Sequence, residues 1–162
     1  MLRSALAVIL ALFLAAPDLA VHAQQTASAP AILSVRRHGE PSVEFDRAAL
    51  ARLPQRAILT STPWTEGTIS FEGPLLRDVL RQAGSRGTTI TAIAINEYKV
   101  SLPFSDAESF DVIVALKRDG QYMPVRDKGP LWIVYPLDQV AELRTPGTHA
   151  KMIWQLKAML VE

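Results

Sequence analysis

Turn-forming residues recur along this chain at short intervals, and this spacing limits its secondary-structure elements to short segments. From Ala31 onward, turn signals built on glycine, proline, asparagine or aspartate arrive every 8–14 residues. The segments between them are rich in β-branched and alternating apolar residues, which favours strands over long helices. The sequence shows no internal repeat. The spacing predicts one domain of mixed α+β class, with a mixed β-sheet core and a few short helices.

Two stretches carry the signals of a short helix. Asp46 suits the N-cap of a helix that runs through Leu53. The stronger prediction is a helix from Pro74 to Ala83, with proline at its first position. Gly73 suits the cap of this second helix, and Gly84 lies just past its end.

The second half of the chain carries the clearest strand signals. Asp119-Gly120 is the strongest hairpin signal. The segment from Leu131 to Tyr135 is apolar enough to form a central strand. The alternation from Lys151 to Val161 predicts a closing strand, with a helix as the alternative. Its predicted core-facing side carries Trp154, Leu156, Ala158 and Leu160.

The first residues have the pattern of a secretory signal peptide. A positive charge precedes an apolar run from Ala5 to Ala16, and Val21-His22-Ala23 forms a small-x-small cleavage site. The run is shorter than the ~20 residues that a transmembrane helix needs. We therefore predict a periplasmic protein without stable membrane insertion, and an uncleaved anchor is the alternative. The predicted segments are a signal peptide over residues 1–23, cleaved after Ala23, a flexible lead-in over residues 24–30, and a domain over residues 31–162.

The composition excludes several classes of chemistry. The chain contains no cysteine, so it has no disulfide, no thiolate nucleophile and no thiolate metal ligand. Its formal net charge is +1 and its basic residues are scattered, whereas a nucleic-acid-binding protein needs a basic patch. The three histidines have no partner at metal-ligand spacing, so we predict no metal site.

Five segments follow one another in an order that is typical of a known family. They are FDRAALARLPQ, TPWTEGTISFEGPLLRDVLRQAG, IAINEYKVSLPFSDA, DVIVALKRDGQYMPVRDKGPLWIVYP and KMIWQLKAMLVE. Together they resemble the oxidoreductase molybdopterin-binding domain, which has the sulfite-oxidase-like fold, in a short exported form. The resemblance covers roughly Ile32 to Val161. It implies the sulfite-oxidase-like α+β fold with a cofactor cleft.

The resemblance also implies a metal ligand that this chain lacks. Catalytic members hold molybdenum with a pterin dithiolene and one cysteine a few residues ahead of a tryptophan. The corresponding stretch here is TSTPW, so Thr60 or Ser61 stands about where the thiolate would be. A protonated hydroxyl is a poor ligand for such a site beside a thiolate. The resemblance therefore implies the fold, the missing thiolate argues against oxo-transfer activity, and no catalytic residue is assigned.

Three candidate ligand-binding residues lie in one charged turn. Arg126, Lys128 and Gly129 precede a proline. Arginine and lysine bind phosphate or carboxylate groups, and a glycine lets backbone N–H groups approach a ligand. In the family that the chain resembles, this turn lies near the cofactor cleft. The same charges also suit a solvated turn.

Three further candidates flank turns elsewhere in the chain. Asn96 and Tyr98 lie at a predicted tight turn, where the tyrosine hydroxyl either points into a cleft or stays in water above a ring packed on the sheet. Trp64 follows a proline. It either walls a flat ligand such as a pterin or caps the core.

These observations predict a periplasmic binding or accessory domain without molybdenum redox activity. Its expected ligand is a small anionic, heteroaromatic or pterin-like molecule, or a periplasmic or membrane signalling protein. No cofactor is expected from the residues, although the resemblance implies molybdopterin. The alternatives are a molybdopterin-dependent oxidoreductase with non-cysteine ligation and a module that only binds other proteins.

Overall fold

The structure is a computed structural model that describes residues 29–162. Its strands are β1 Leu33–Arg37, β2 Val43–Phe45, β3 Gln55–Ser61, β4 Thr68–Pro74, β5 Thr89–Ala94, β6 Lys99–Pro103, β7 Ile113–Ala115, β8 Lys117–Arg118, β9 Gln121–Tyr122, β10 Trp132–Val134 and β11 Leu156–Val161. Its α-helices are α1 Arg47–Arg52, α2 Leu76–Gln82, α3 Phe104–Ser109 and α4 Pro146–Lys151. Short 3-10 helices cover Val125–Asp127 and Ala141–Leu143.

Three sheets build the domain. A five-stranded sheet has the order β2-β1-β11-β5-β6, with β1 parallel to β11 and its other neighbours antiparallel. A four-stranded sheet has the order β3-β4-β8-β9, and β7 pairs with β10. The α+β class, the mixed sheet and the short helices are therefore confirmed.

One contiguous core joins these sheets. Its largest fully buried side chains come from different elements and include Trp132, Tyr135, Phe71, Leu50 and Leu102. Because α1, α2 and α3 each bury only one to three residues, the helices cover the sheets rather than form a layer of their own.

The predicted helices exist with shifted boundaries. The Asp46 carboxylate accepts a hydrogen bond from the Ala49 N–H at 2.6 Å, as expected for the N-cap of α1. The second predicted helix begins at Leu76, because Pro74 is the last residue of β4. Gly73 lies in that strand, where a Cβ would come within 2.0 Å of the Val114 carbonyl oxygen. This glycine permits two backbones to approach closely and does not cap the helix.

The predicted hairpin and the predicted central strand have different outcomes. Asp119 and Gly120 have positive φ angles of 47° and 76° and join β8 to β9, so the predicted hairpin is confirmed. The segment Leu131 to Tyr135 is fully buried, but its strand β10 pairs with β7 in a two-stranded sheet and is not central to a larger one.

The predicted closing strand is shorter and faces the core differently. Residues 146–151 form α4, and β11 begins only at Leu156. A bulge between Leu156 and Ala158 shifts the alternation, so Met159 and Val161 are buried while Ala158 and Leu160 are half-buried. The predicted face was therefore wrong beyond Leu156.

The predicted signal peptide, residues 1–23, and most of the lead-in, 24–30, lie outside the described residues. These segments and the periplasmic location remain predictions. Within residues 29–162, no helix is both long and apolar enough to cross a membrane.

Candidate functional site

An apolar cavity of about 290 Å³ lies at one end of the five-stranded sheet, where β5 ends and β11 begins. We call it the tryptophan cavity. Its lining consists of Trp64, Ala94, Asn96, Tyr98, His149, Ala150, Met152, Ile153, Trp154 and Gln155. No carboxylate, lysine or arginine contributes to this lining among the described residues.

Aromatic rings form one wall of the tryptophan cavity. The ring centroids of Trp64 and Trp154 are 5.0 Å apart at an interplanar angle of 71°, an edge-to-face arrangement. Trp132 lies behind them, fully buried, at 6.2 Å from Trp64 and 6.0 Å from Trp154. Trp64 is 36% exposed. It therefore both packs against the buried Trp132 ring and lines the cavity.

A compact turn holds Trp64 in place. The Trp64 N–H donates to the Thr62 hydroxyl at 3.2 Å. The Thr62 N–H donates in turn to the Thr65 hydroxyl at 3.2 Å, and the two hydroxyls are 2.9 Å apart. Small hydroxyl side chains that bond to nearby backbone stabilise such turns. The tryptophan thus stands on a fixed backbone.

A second part of the lining comes from α4 and the residues that follow it. Thr145 caps this helix by accepting the Thr148 N–H at 3.1 Å, and Pro146 occupies its first position. The Trp132 indole N–H donates to the Met152 carbonyl at 3.0 Å. The Ile133 N–H donates to the Ile153 carbonyl at 2.9 Å. These bonds fix Met152 and Ile153 in the part of the lining that follows α4.

The turn between β5 and β6 supplies the polar rim. Asn96 Oδ1 accepts the Tyr98 N–H at 3.1 Å, and Glu97 has a positive φ of 67°. This is the tight turn that the sequence predicted. The hydrogen bond and ion pair from Lys157 lower the pKa of the exposed Glu97 carboxylate. Tyr98 is 55% exposed at the mouth of the cavity.

The structure brings three of the six predicted ligand-binding residues together. Trp64, Asn96 and Tyr98 line the tryptophan cavity. Lys128 lies outside the lining, with its Nζ 5.6 Å from the Trp154 ring centroid and 5.8 Å from that of Trp132, within cation–π range. Arg126 is exposed on a 3-10 helix and does not line the cavity.

Position 129 requires glycine for a structural reason that the sequence analysis did not identify. Its N–H donates to the Pro124 carbonyl at 2.9 Å, so this donor is already used within the turn. A Cβ at this position would lie 2.0 Å from the Met123 carbonyl oxygen. The residue must be glycine because two backbone segments touch here.

At the expected position of the metal ligand, Thr60 and Ser61 are hydrogen-bonded to Asp138. Thr60 is fully buried, and its hydroxyl accepts the Asp138 N–H at 3.2 Å and donates to the Ser61 carbonyl at 3.3 Å. The Ser61 N–H and hydroxyl donate to the Asp138 carboxylate at 2.7 and 2.9 Å. Both hydroxyls thus have protein partners, and the chain has no thiolate. These residues do not fit a site that ligates molybdenum through the protein.

A second, more polar cavity of about 270 Å³ lies beside Ser61 and Asp138 and shares His149 with the first cavity. Arg144 lines it but is already engaged, donating through Nε to the Leu137 carbonyl at 2.8 Å and pairing with the Asp138 carboxylate at 3.3 Å. Across residues 29–162, no group of three His, Asp or Glu side chains could hold a metal ion.

Sequence reasoning missed the wall that α4 provides. Sequence reasoning gave no role to His149, yet its ring centroid lies 6.4 Å from that of Trp64 and the residue borders both cavities. The signal was present in the sequence, since Thr145-Pro146 is an N-cap followed by proline at the first helical position.

Comparison with known proteins identifies the family. The family model described as the oxidoreductase molybdopterin binding domain matches residues 33–142. The chain belongs to this family. The match confirms the resemblance that the sequence motifs indicated and the assignment of a sulfite-oxidase-like fold.

A solved structure supports the same fold. The chain is similar to the crystal structure of the sulfane dehydrogenase SoxCD from Paracoccus pantotrophus, with a TM-score of 0.60 and 17% sequence identity over 80% of this chain. The matched part is 37% of that chain, so this protein spans little more than a third of its length. At this identity the likeness shows the fold alone. No curated protein matches the sequence.

Proposed function

We propose that this protein is an exported, non-redox binding module of the molybdopterin-binding fold, and that the tryptophan cavity is its binding site. The observation that carries the proposal is an apolar, aromatic-walled cavity with amides at its rim, in a chain without a thiolate for the metal. Such concave sites with few polar groups are the usual form of a ligand pocket.

The cavity favours a flat ring over a small anion. Its volume of about 290 Å³ suits a one- or two-ring group, and the rings of Trp64 and Trp154 line it, so an aromatic ligand can contact them. Arg126 and Lys128, which motivated the expectation of an anionic ligand, lie outside the lining. The enclosed part of the ligand is therefore uncharged and heteroaromatic or aromatic. A pterin without metal meets this description.

Occlusion of the cavity tests the proposal. Ala150 is exposed on α4 and lines the cavity, so Ala150→Phe fills the space without removing a core side chain. Isothermal titration calorimetry would use pterin and quinoline, two uncharged bicyclic rings. We expect at least one ring to bind the wild type and to bind Ala150→Phe at least about tenfold more weakly. Ala51→Phe, an equal change on the exposed face of α1, is the matched control and should bind like the wild type. Failure of both rings to bind the wild type would refute the site.

Family membership favours a second candidate, a molybdopterin-dependent oxidoreductase with non-cysteine ligation. Molybdenum determination by elemental analysis, and pterin determination after acid oxidation, on protein from its own host distinguish the two. Near-stoichiometric metal with pterin would establish the enzyme. Pterin without metal, or neither group, would support the binding module.

A further inference from the structure

Exposed apolar side chains concentrate around the mouth of the tryptophan cavity. In the described part of the chain, seven large apolar side chains are exposed. Four of them surround the mouth: Trp64 at 36%, Ile95 at 42%, Tyr98 at 55% and Val125 at 51% exposure. Contiguous apolar patches on a folded domain are often binding surfaces.

Gln155 connects this rim into one surface. It lines the cavity, and its carbonyl accepts the Ile95 N–H at 2.8 Å. Its side-chain amide donates to the Val125 carbonyl at 2.7 Å. Ile95 and Val125 are therefore both bonded to a residue that lines the cavity, which places these two exposed apolar residues next to its mouth.

Three basic residues adjoin this apolar rim in the chain or in space. Lys99 follows Tyr98, Arg126 follows Val125, and Lys128 lies over the tryptophan rings. Within residues 29–162 none of these three forms an ion pair. The neighbouring acidic groups are already engaged: Glu97 pairs with Lys157 and lies near Lys99, and Asp127 pairs with Arg118 at 2.7 Å. The uncompensated charge at the mouth is therefore positive.

From this combination we infer that the tryptophan cavity docks a partner protein through an acidic segment that inserts one apolar side chain. The inference rests on the proposed function because it uses the same cavity and names the ring or apolar group that enters it. An anchor side chain in a well-enclosed pocket is the usual centre of a protein interface, and complementary rim charges steer the partner and set specificity.

The shape of the surface favours a protein segment over a membrane. Polybasic membrane-binding segments carry roughly four to eight cations, whereas this rim has three. The cavity has a volume of about 290 Å³, which is enough for a single side chain. Interfacial helices instead bind lipid with an apolar face that enters the bilayer surface.

A peptide titration tests the inference. The probe is the blocked peptide Asp-Glu-Asp-Phe-Asp-Glu-Asp, measured by calorimetry at low and high salt against the purified protein. We expect binding that weakens with salt and falls at least about tenfold when alanine replaces phenylalanine. The same loss is expected with the variant Lys99→Glu/Arg126→Glu, whose two positions are exposed and outside the core. Pterin and quinoline should bind that variant as they bind the wild type.

The outcomes separate this inference from the proposed function. Equal binding of a peptide with lysines in place of the acidic residues, or unchanged peptide binding to the charge-reversed variant, would overturn the acidic partner. Ring probes that bind while the peptide does not would overturn the inference and leave the proposed function standing. Co-sedimentation with vesicles containing phosphatidylserine, without peptide binding, would replace the protein partner by an anionic membrane.

Discussion

Tyr135 is fully buried, and its environment links the stability of the protein to pH. Its hydroxyl donates to Asp106 Oδ2 at 2.8 Å, and Lys151 Nζ donates to the same oxygen at 2.6 Å. Burial, followed by the hydrogen bond and the negative charge of Asp106, raises the pKa of Tyr135 above its ordinary value. The folded protein thus keeps a proton that the unfolded chain releases above about pH 10.

This pKa shift predicts a loss of stability in alkali. Because the folded-state pKa is raised, the contribution of Tyr135 is fully present below about pH 10 and decreases as the pH rises further. We expect urea unfolding, followed by far-UV circular dichroism, to show a steep fall in the free energy of unfolding above that pH. The fall should be shallower in Tyr135→Phe and unchanged in Tyr98→Phe, whose ring is exposed. Equal slopes in both variants would contradict the assignment.

Gly129 predicts a localised packing failure. A methyl group at this position would overlap the Met123 carbonyl oxygen at 2.0 Å, so Gly129→Ala must displace backbone. We expect it to lower the free energy of unfolding by at least ~2 kcal/mol. Gly147→Ala is the control, because its nearest neighbour, the Thr145 hydroxyl, would be 3.8 Å from the new Cβ. Thermal melts that show equal losses for both variants would refute the close approach.

At single residues, the sequence indicated positions that depend on local chemistry and could not indicate positions that depend on distant contacts. Asn96 and Tyr98 adjoin a tight turn that their own side-chain and backbone bonds create, so the sequence pointed to them. Arg126 looked equally suitable, but a charge run does not reveal which side of a turn faces a cavity. The need for glycine at position 129 arises from backbone that is near in space, and no local pattern encodes it.

Among the elements, α4 is the one whose integrity the tryptophan cavity depends on most directly. Its six residues are too few for intrinsic stability, so the cap and the tertiary bonds hold it. Thr145 supplies the cap and Met152, just past the end, accepts the Trp132 indole N–H.

Two helix caps of similar energy should therefore have different functional effects. Thr145→Ala and Asp46→Ala each remove a side-chain acceptor from a helix N-terminus and should each lower the free energy of unfolding by about 1 kcal/mol. Only Thr145→Ala should weaken the binding of a ring probe, because only α4 lines the cavity. Chemical denaturation and calorimetry would check both values. An equal effect of the two variants on binding would contradict the role of α4.

Element types followed from the sequence better than element boundaries did. The turn signals located the hairpin at Asp119 and the helix start at Asp46, since each is a short-range effect. Two departures from the prediction depend on tertiary contacts. The second helix begins after Pro74, beside the close approach of β7 to β4. The buried face of the closing strand changes beyond Leu156 at a bulge in its pairing with β5. Periodicity cannot register either cause.

At the scale of the whole molecule, the pairing of β1 with β11 joins the first and last described strands in one folding unit. β11 lies inside the five-stranded sheet and pairs with β1 on one side and β5 on the other. One core cluster spans all three sheets. A single cooperative unit follows, because no sheet retains a complete core when another opens.

Truncation tests this unit. Deletion of residues 156–162 removes β11 and should abolish the cooperative urea transition, since β1 and β5 each lose the neighbour that joins the two halves of the five-stranded sheet. Deletion of residues 24–30, the predicted lead-in, should leave the midpoint unchanged. A folded protein after the first deletion, judged by far-UV circular dichroism and elution volume, would contradict the single unit.

The overall fold was predictable because five ordered segments together are more specific than any one of them, and the family match confirms it. The site was predictable only in part. Trp64, Asn96 and Trp154 are distant in sequence, and only the folded sheet brings them to one cavity.

The chain contains three tryptophans, and all three belong to the aromatic cluster at the cavity. Light absorbed by indole anywhere in the protein is therefore absorbed within a few ångströms of the proposed binding site. Energy transfer among rings this close should carry the excitation across the cluster before emission. The natural protein thus contains its own optical reporter: a ring that stacks on Trp64 should change the emission of the whole molecule without any attached dye.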